Sequence, residues 1–217
     1  MIETSKNIDK TYLAKLIEKN NPVIFDIGCY DGKDSLEFLQ LYKNAKIFAF
    51  DPLPNLTDNF KNCIKNNKIK LVKTALGNVD SDVEWFISNN HPASNSMKAP
   101  KDTLTVFKEI KFSKYKDVNC ERLDTWVEKN FDGKTIDLLW VDVNGAEKEF
   151  LEGATQTIFE KVQFIFIEFT KVDGQQLYEG SLSKQEILKK LKNFEELGTY
   201  SFMGNFGNLL LKRKIDE

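Results

Sequence analysis

Acidic residues and glycines gather where apolar runs of the sequence end. The clearest case is Phe25–Ser35, FDIGCYDGKDS, in which Asp26, Gly28, Asp31 and Gly32 follow Val23, Ile24 and Phe25 and precede the helical pattern SLEFLQLY. A buried strand, a tight glycine turn and a helix N-terminus, in that order, form the place where open α/β sheets bind a cofactor. The two acids Asp26 and Asp31 set the charge that such a ligand must carry. A dinucleotide pyrophosphate would be repelled, and the fingerprint G-x-G-x-x-G is absent. A cationic or zwitterionic ligand would be attracted, and S-adenosylmethionine, with its ammonium and sulfonium centres, is the candidate.

Further acids stand at the ends of later apolar runs. Asp51 closes KIFAF about 20 residues after the glycine turn, where an acid typically holds ribose hydroxyls; alternatively it caps the turn before Pro52. Asp142, Asn144 and Glu147 lie in WVDVNGAEKEF, and the carboxyl ends of adjacent parallel strands converge on one crevice, so Asp142 is expected to face the glycine turn. Glu147 also suits a helix-dipole role in a first turn. Glu168, near the end of VQFIFIEF, needs a partner or an elevated pKa among its Phe and Ile neighbours; it is read as a functional or as a structural carboxylate. His91, the single histidine of the chain, has the right pKa range to take a hydroxyl proton, although in a polar loop beside Pro92 it also suits plain exposure. Ser94, Asn95 and Ser96 share that loop. Trp85, Trp126 and Trp140 sit in apolar-periodic stretches and read as core.

The elements that must position these residues alternate along the chain. Helical periodicity covers 9–20, 35–42 and 55–66, with strands at 23–25, 46–50 and 69–74. A strand over 82–88 is followed by a long polar stretch, 89–117, broken by two prolines; such connections are usually functional or disordered, and this one is assigned to the acceptor side. A strand at 118–123, a short helix in DTWVEKN, the apolar strand 136–143, a helix from Gly145 to Ile158 and the strand 162–169 come next. Ser183 with Glu186 forms a capping box for a further helix, and two last strands, 196–203 and 208–212, flank the turn GNFG. The expected fold is α/β: a doubly wound, mostly parallel sheet ending in an antiparallel hairpin. The chain reads as one domain over 1–217, with 1–21 as a helical lead-in.

Composition limits the alternatives. A chain of 217 residues accommodates one sizeable domain. A formal net charge of −2 gives no global case for binding nucleic acid. Cys29, Cys63 and Cys120 lack metal-ligand spacing and suit a reducing compartment. With no signal-peptide core in MIETSKNIDK and no run of membrane-spanning length, the expected location is cytoplasmic. Oligomeric state is not written in the sequence.

With these residues assembled, the chain resembles the FkbM family of S-adenosylmethionine-dependent methyltransferases. The likeness rests on FDIGCYDGKDS, FAFDPLPN, TALGN, the serine-containing loop, CERLDTW, IDLLWVDVNGAEKEFLEGA, FIFIEF and GNLLLK, in that order from Pro22 to Leu211. The family commonly has Lys at the position of Trp140, Glu at that of Asn144 and often Glu at that of Asp51. A subgroup with Trp and an amide at the first two is also similar in CERLD and LYEG, so these read as variation within the family. The resemblance implies the class I methyltransferase fold, Rossmann-like, with seven strands. It implies O-methylation of a sugar or glycan hydroxyl or of another small polar metabolite. By the family's pattern Asp26, Gly28, Gly32, Asp51 and Asp142 line the cofactor site, with Tyr30, Asp31 and Ser35 in the same turn and helix start.

Methyl transfer from a sulfonium needs an acceptor oxygen held about 3 Å from the methyl carbon, in line with sulfur. Candidate bases for its proton are His91, Asp142 and Glu168; a divalent metal across Asp142 and Glu168 is an alternative way to polarise the hydroxyl. Two rivals stand beside this reading. One is a nicotinamide-dependent oxidoreductase, disfavoured by the acids near Gly28; the other is a cofactor-binding but non-catalytic module or partner subunit.

Overall fold

The computed structural model describes residues 10–172, 174–202 and 206–214. Along the chain run α1 (Lys10–Ile17), β1 (Val23–Ile27), α2 (Lys33–Leu41), β2 (Lys46–Phe50), α3 (Asp58–Lys65), β3 (Ile69–Val72), β4 (Ala75–Leu76) and β5 (Ser81–Ser88). Then follow α4 (Thr103–Val106), β6 (Phe112–Glu121), α5 (Leu123–Asn130), β7 (Ile136–Val141), α6 (Glu147–Gly153), α7 (Thr155–Lys161) and β8 (Val162–Phe169). The short strands β9 (Lys171–Val172) and β10 (Gln175–Gln176), helix α8 (Lys184–Lys190), β11 (Phe194–Phe202) and β12 (Phe206–Arg213) complete the order.

Seven strands form the central sheet in the order β11-β12-β8-β7-β1-β2-β3. From β8 to β3 every pairing is parallel, while β12 is antiparallel to both β8 and β11. This is the mixed α/β sheet with an antiparallel C-terminal hairpin expected from the sequence; the middle of the hairpin turn lies outside the described residues. Strand β7, apolar but for Asp137 and buried at each of its positions, and β8 sit at the centre, as parallel strands covered on both faces require.

Strand alternation sends side chains into two layers. Phe25, Ile27, Phe48 and Phe50 pack with Trp126, Phe131, Phe150 and Ile187 on one face. Ile24, Ala49, Leu138, Trp140 and Phe166 pack with Leu13, Phe38 and Phe60 on the other. The first layer is an edge-on aromatic cluster in which Phe25 meets Trp126 at 5.7 Å and Phe131 at 5.4 Å. In the second, Trp140 stacks on Phe166 with ring centroids 3.9 Å apart. Trp126 and Trp140 are thus core residues.

Two expectations change. The stretch 89–117 is not loop throughout: from Phe112 it is strand, and β6 pairs antiparallel with β5 and parallel with β4 in a separate three-stranded sheet. The helix expected from Gly145 to Ile158 is two helices, interrupted at Ala154. Gly153 lies so close to the next layer that a Cβ there would fall 1.8 Å from the Gly77 carbonyl oxygen. The predicted capping box is present: Ser183 Oγ accepts from the Glu186 N–H, and the Glu186 carboxylate accepts from the Ser183 N–H. Among the described residues no helix is long and apolar enough to cross a membrane.

Candidate active site

The carboxyl ends of β1, β2 and β7 open into a cleft walled on the far side by the segment after β5. Its edge nearest β1 is the glycine turn. Gly28 N donates to the Phe50 carbonyl at 2.8 Å, and Asp142 N donates to the Ile27 carbonyl at 2.9 Å, so three strand ends are pinned together. Gly28 has φ +83°, and a Cβ on it would meet the Asp142 carbonyl oxygen at 1.8 Å. Gly32, at φ +77°, caps α2 with no room for a side chain beside the Phe60 ring. These two positions accept only glycine, for conformation and for space.

Asp31, Asp34, Asp51 and Asp142 all line the cleft, together with Gly28 and Tyr30. Asp51 accepts from Leu53 N at 2.8 Å with one oxygen and from Tyr30 N at 3.0 Å with the other. It therefore caps its own turn and also faces the cleft. Burial raises its pKa, and the two N–H donors partly restore it. Asp31 accepts from Lys33 N at 2.9 Å.

Asp142 lines the cleft and is exposed to solvent there. The protein mass around it, then the charge of Asp34, push its pKa up to about 6; the Asn144 backbone N–H draws it back down. Asp34 was missed in the sequence reading. It sits one helical turn after Asp31, a spacing that could have revealed it, and its charge is matched by an ion pair with Lys10 of α1, which also reaches Glu37.

Asp26 and Ser35 lie elsewhere. Both are buried, and Asp26 points from β1 toward α2, where Ser35 Oγ donates to it. Neither lines the cleft; the pair fastens the first turn of α2 to the strand beneath it. Burial, then the nearby Asp34 charge, raise the Asp26 pKa to about 8, against the Ser35 hydrogen bond.

Of the remaining expected residues, Glu168 is half-buried at the end of β8, beside β7. Burial, followed by the charges of Asp142 and Glu147, raises its pKa well above the usual carboxylate range. Glu147, fully buried at the start of α6, accepts from Gly145 N at 2.9 Å, and its other oxygen has no partner among the described residues. His91 is exposed, 2.9 Å from Ser94 Oγ through Nδ1, and does not line the cleft. Trp85 is buried, yet it forms part of the cleft wall, and its indole N–H has no acceptor among the described residues. Among those residues no three His, Cys, Asp or Glu side chains converge as a metal site.

Comparison with known proteins agrees with this geometry. A family model described as the methyltransferase FkbM domain matches residues 26–198. The chain is 33% identical over 210 residues to the 2-O-methyltransferase NoeI of Sinorhizobium fredii, covering 92% of this chain and 83% of that protein. It is 29% identical over 178 residues to the methyltransferase sdnD of Sordaria araneosa, covering 71% and 69%. A putative type 11 methyltransferase from Sulfolobus solfataricus shares the fold, with a TM-score of 0.52 at 13% identity over 98% of this chain and 96% of that one. A glycine turn between carboxylates, on a sheet of this order and within a sequence that matches from Asp26 to Gly198, has one family to which it answers: the chain belongs to the FkbM methyltransferases and is an S-adenosylmethionine-dependent methyltransferase.

Proposed function

We propose that the protein methylates a hydroxyl of a sugar, a glycan or another small polyhydroxylated acceptor. The observation that carries this reading is the convergence of Asp31, Asp34, Asp51 and Asp142 on a cleft otherwise walled by Ile27, Phe50, Leu53, Leu76 and Trp85. An apolar wall suits a nucleobase, and the unmatched Trp85 N–H suits an acceptor atom on it. Asp51 gives one lone pair to each of two backbone donors, and a carboxylate has further lone pairs for a ribose diol. The remaining negative charge suits ammonium and sulfonium groups. The residues present therefore fit S-adenosylmethionine, with Gly28, Tyr30, Asp31, Asp51 and Asp142 around it and Gly32, Asp26 and Ser35, which do not line the cleft, supporting the turn from behind. O-methylation is supported by the relative that is named a 2-O-methyltransferase.

When bound, the cofactor supplies a methyl group on an already activated leaving group. The chain's own work is to hold the acceptor oxygen in line and to receive its proton. Asp142 is the best-placed base, because it lines the cleft and a pKa of about 6 leaves it ionised yet basic at neutral pH. Glu168, on the neighbouring strand end, has its pKa raised by burial and by the charges of Asp142 and Glu147, but it does not line the cleft, so a direct role for it requires the acceptor to reach past the lining. His91 lies outside the lining, so a direct role for it requires the loop to move.

The test is calorimetry with S-adenosylhomocysteine followed by turnover on a panel of glycans and polyols. Binding, and a methyl ether on one of the panel, is the expected result. No heat from well-folded protein, or a methyl group delivered to nitrogen or carbon, overturns it.

A further inference from the structure

The wall of the cleft opposite the glycine turn is built from Pro92, Ala93, Asn95 and Met97. This segment is tied to β5 where Phe86 and Ser96 exchange backbone hydrogen bonds of 2.7 and 3.2 Å, and where the Ser88 N–H donates to Asn95 Oδ1 at 2.9 Å. Three consecutive carbonyls, those of Ala93, Ser94 and Asn95, point back toward the end of β7, and each receives a side-chain donor from across the fold. The Asn144 side-chain N–H₂ donates to the Ala93 carbonyl at 2.9 Å and to the Asn95 carbonyl at 3.3 Å. The Tyr178 hydroxyl donates to the Ser94 carbonyl at 3.0 Å. In return the buried Ser96 Oγ donates to the Asn144 carbonyl at 2.7 Å.

Asn144 is suited to this position in two ways. Its backbone is left-handed, at φ +49°, a conformation that Asn tolerates better than most residues. Its side chain offers two N–H groups, and a carboxylate of the same shape offers none and would face carbonyl oxygens. Its backbone N–H meanwhile holds the Asp142 carboxylate. One residue thus touches both the charged floor of the cleft and its opposite wall.

We infer that Asn144 is a positioning residue: its amide clasps the Pro92–Ser96 wall to the end of β7 and so sets the width of the cleft where cofactor and acceptor meet. The inference rests on the methyltransferase reading for its consequence, but the clasp itself is measurable without any ligand.

The experiment compares the parent protein with Asn144→Asp and Asn144→Gly. The glycine variant keeps the left-handed backbone without strain, so it folds even if the aspartate variant does not. Amide hydrogen exchange of the free protein is followed over 92–97, with β12 as an internal reference. Binding of S-adenosylhomocysteine is followed by calorimetry. Exchange in the wall is expected to accelerate at least tenfold in both variants with β12 unchanged, and Kd to rise about tenfold at unchanged stoichiometry. A merely structural role would lower the stoichiometry and leave the Kd of the folded fraction alone. Wall exchange within twofold of the parent in both variants, or a Kd unchanged despite faster exchange, overturns the inference. Failure of the parent protein to bind S-adenosylhomocysteine would instead count against the cofactor reading, with the exchange result still deciding the clasp.

Discussion

The backbone N–H of Tyr30 donates to Asp51 at 3.0 Å, so a single carboxylate ties the loop after the first strand to the end of the second. Since Leu53 N uses the other oxygen, replacing Asp51 with Ala leaves two backbone donors without their charged acceptor. Hydrogen bonds to charged groups are worth about 1.5–3 kcal/mol each. Asp51→Ala is expected to weaken S-adenosylhomocysteine binding on the order of 10- to 100-fold, measured by calorimetry. A change of less than threefold would remove Asp51 from the cofactor site.

Asp142 loses its charge as pH falls through about 6. Below that value the floor of the cleft is less negative, and its attraction for a sulfonium weakens. S-adenosylmethionine is therefore expected to bind about tenfold more weakly at pH 5 than at pH 7.5, a scale set by one charge pair in partly solvated protein. The uncharged-sulfur product should change less. Asp142→Asn should flatten the difference between the two ligands, and parallel titration curves for both would refute the assignment.

Buried acids shape the stability of the fold as well. Asp26 and Glu147 have pKa values raised to about 8 by burial. Between their ordinary values and about 8 the folded chain binds more protons than the unfolded one, so stability falls as pH rises across that window. The Tm of the free protein is expected to decline from pH 5 to pH 8, and Asp26→Asn to make the decline shallower. Thermal scans at several pH values check this; an unchanged slope in the variant counts against a protonated Asp26.

Gly28→Ala tests the junction of β1 with β7. A methyl group there would collide with the Asp142 carbonyl in a backbone conformation that alanine resists. The expected cost is about 2–4 kcal/mol, seen as a Tm lowered by roughly 5–15 °C for a chain of this size, with loss of S-adenosylhomocysteine binding. A variant with normal Tm and affinity would show that the junction yields.

Much of this was legible because it is local. Strands β2 and β8 run over the residues their apolar patterns marked, and the Ser183–Glu186 cap needs only a four-residue window. The glycine turn announced the cleft through residue type alone. Strand β6 was hidden because its first half, FSKYKD, carries polar residues at most positions, and only pairing with β5 organises it. Asp26 reads as a cleft acid by its place in the motif, but strand alternation turns it toward α2 and Ser35. Trp85 reads as core, and burial bears that out, yet the same side chain forms part of the cleft wall. The Asn144 contacts join residues about 50 positions apart, and no local pattern encodes them.

The excursion between Ser88 and Phe112 departs from one strand of an antiparallel pair and rejoins the other, in a sheet separate from the seven-stranded one. Its endpoints are held side by side whatever lies between them, and lengthening a connection closed in this way costs little. Such a segment can change in length or sequence without disturbing the seven-stranded sheet, and because Pro92, Ala93, Asn95 and Met97 line the cleft, each such change would reshape the wall that faces the glycine turn.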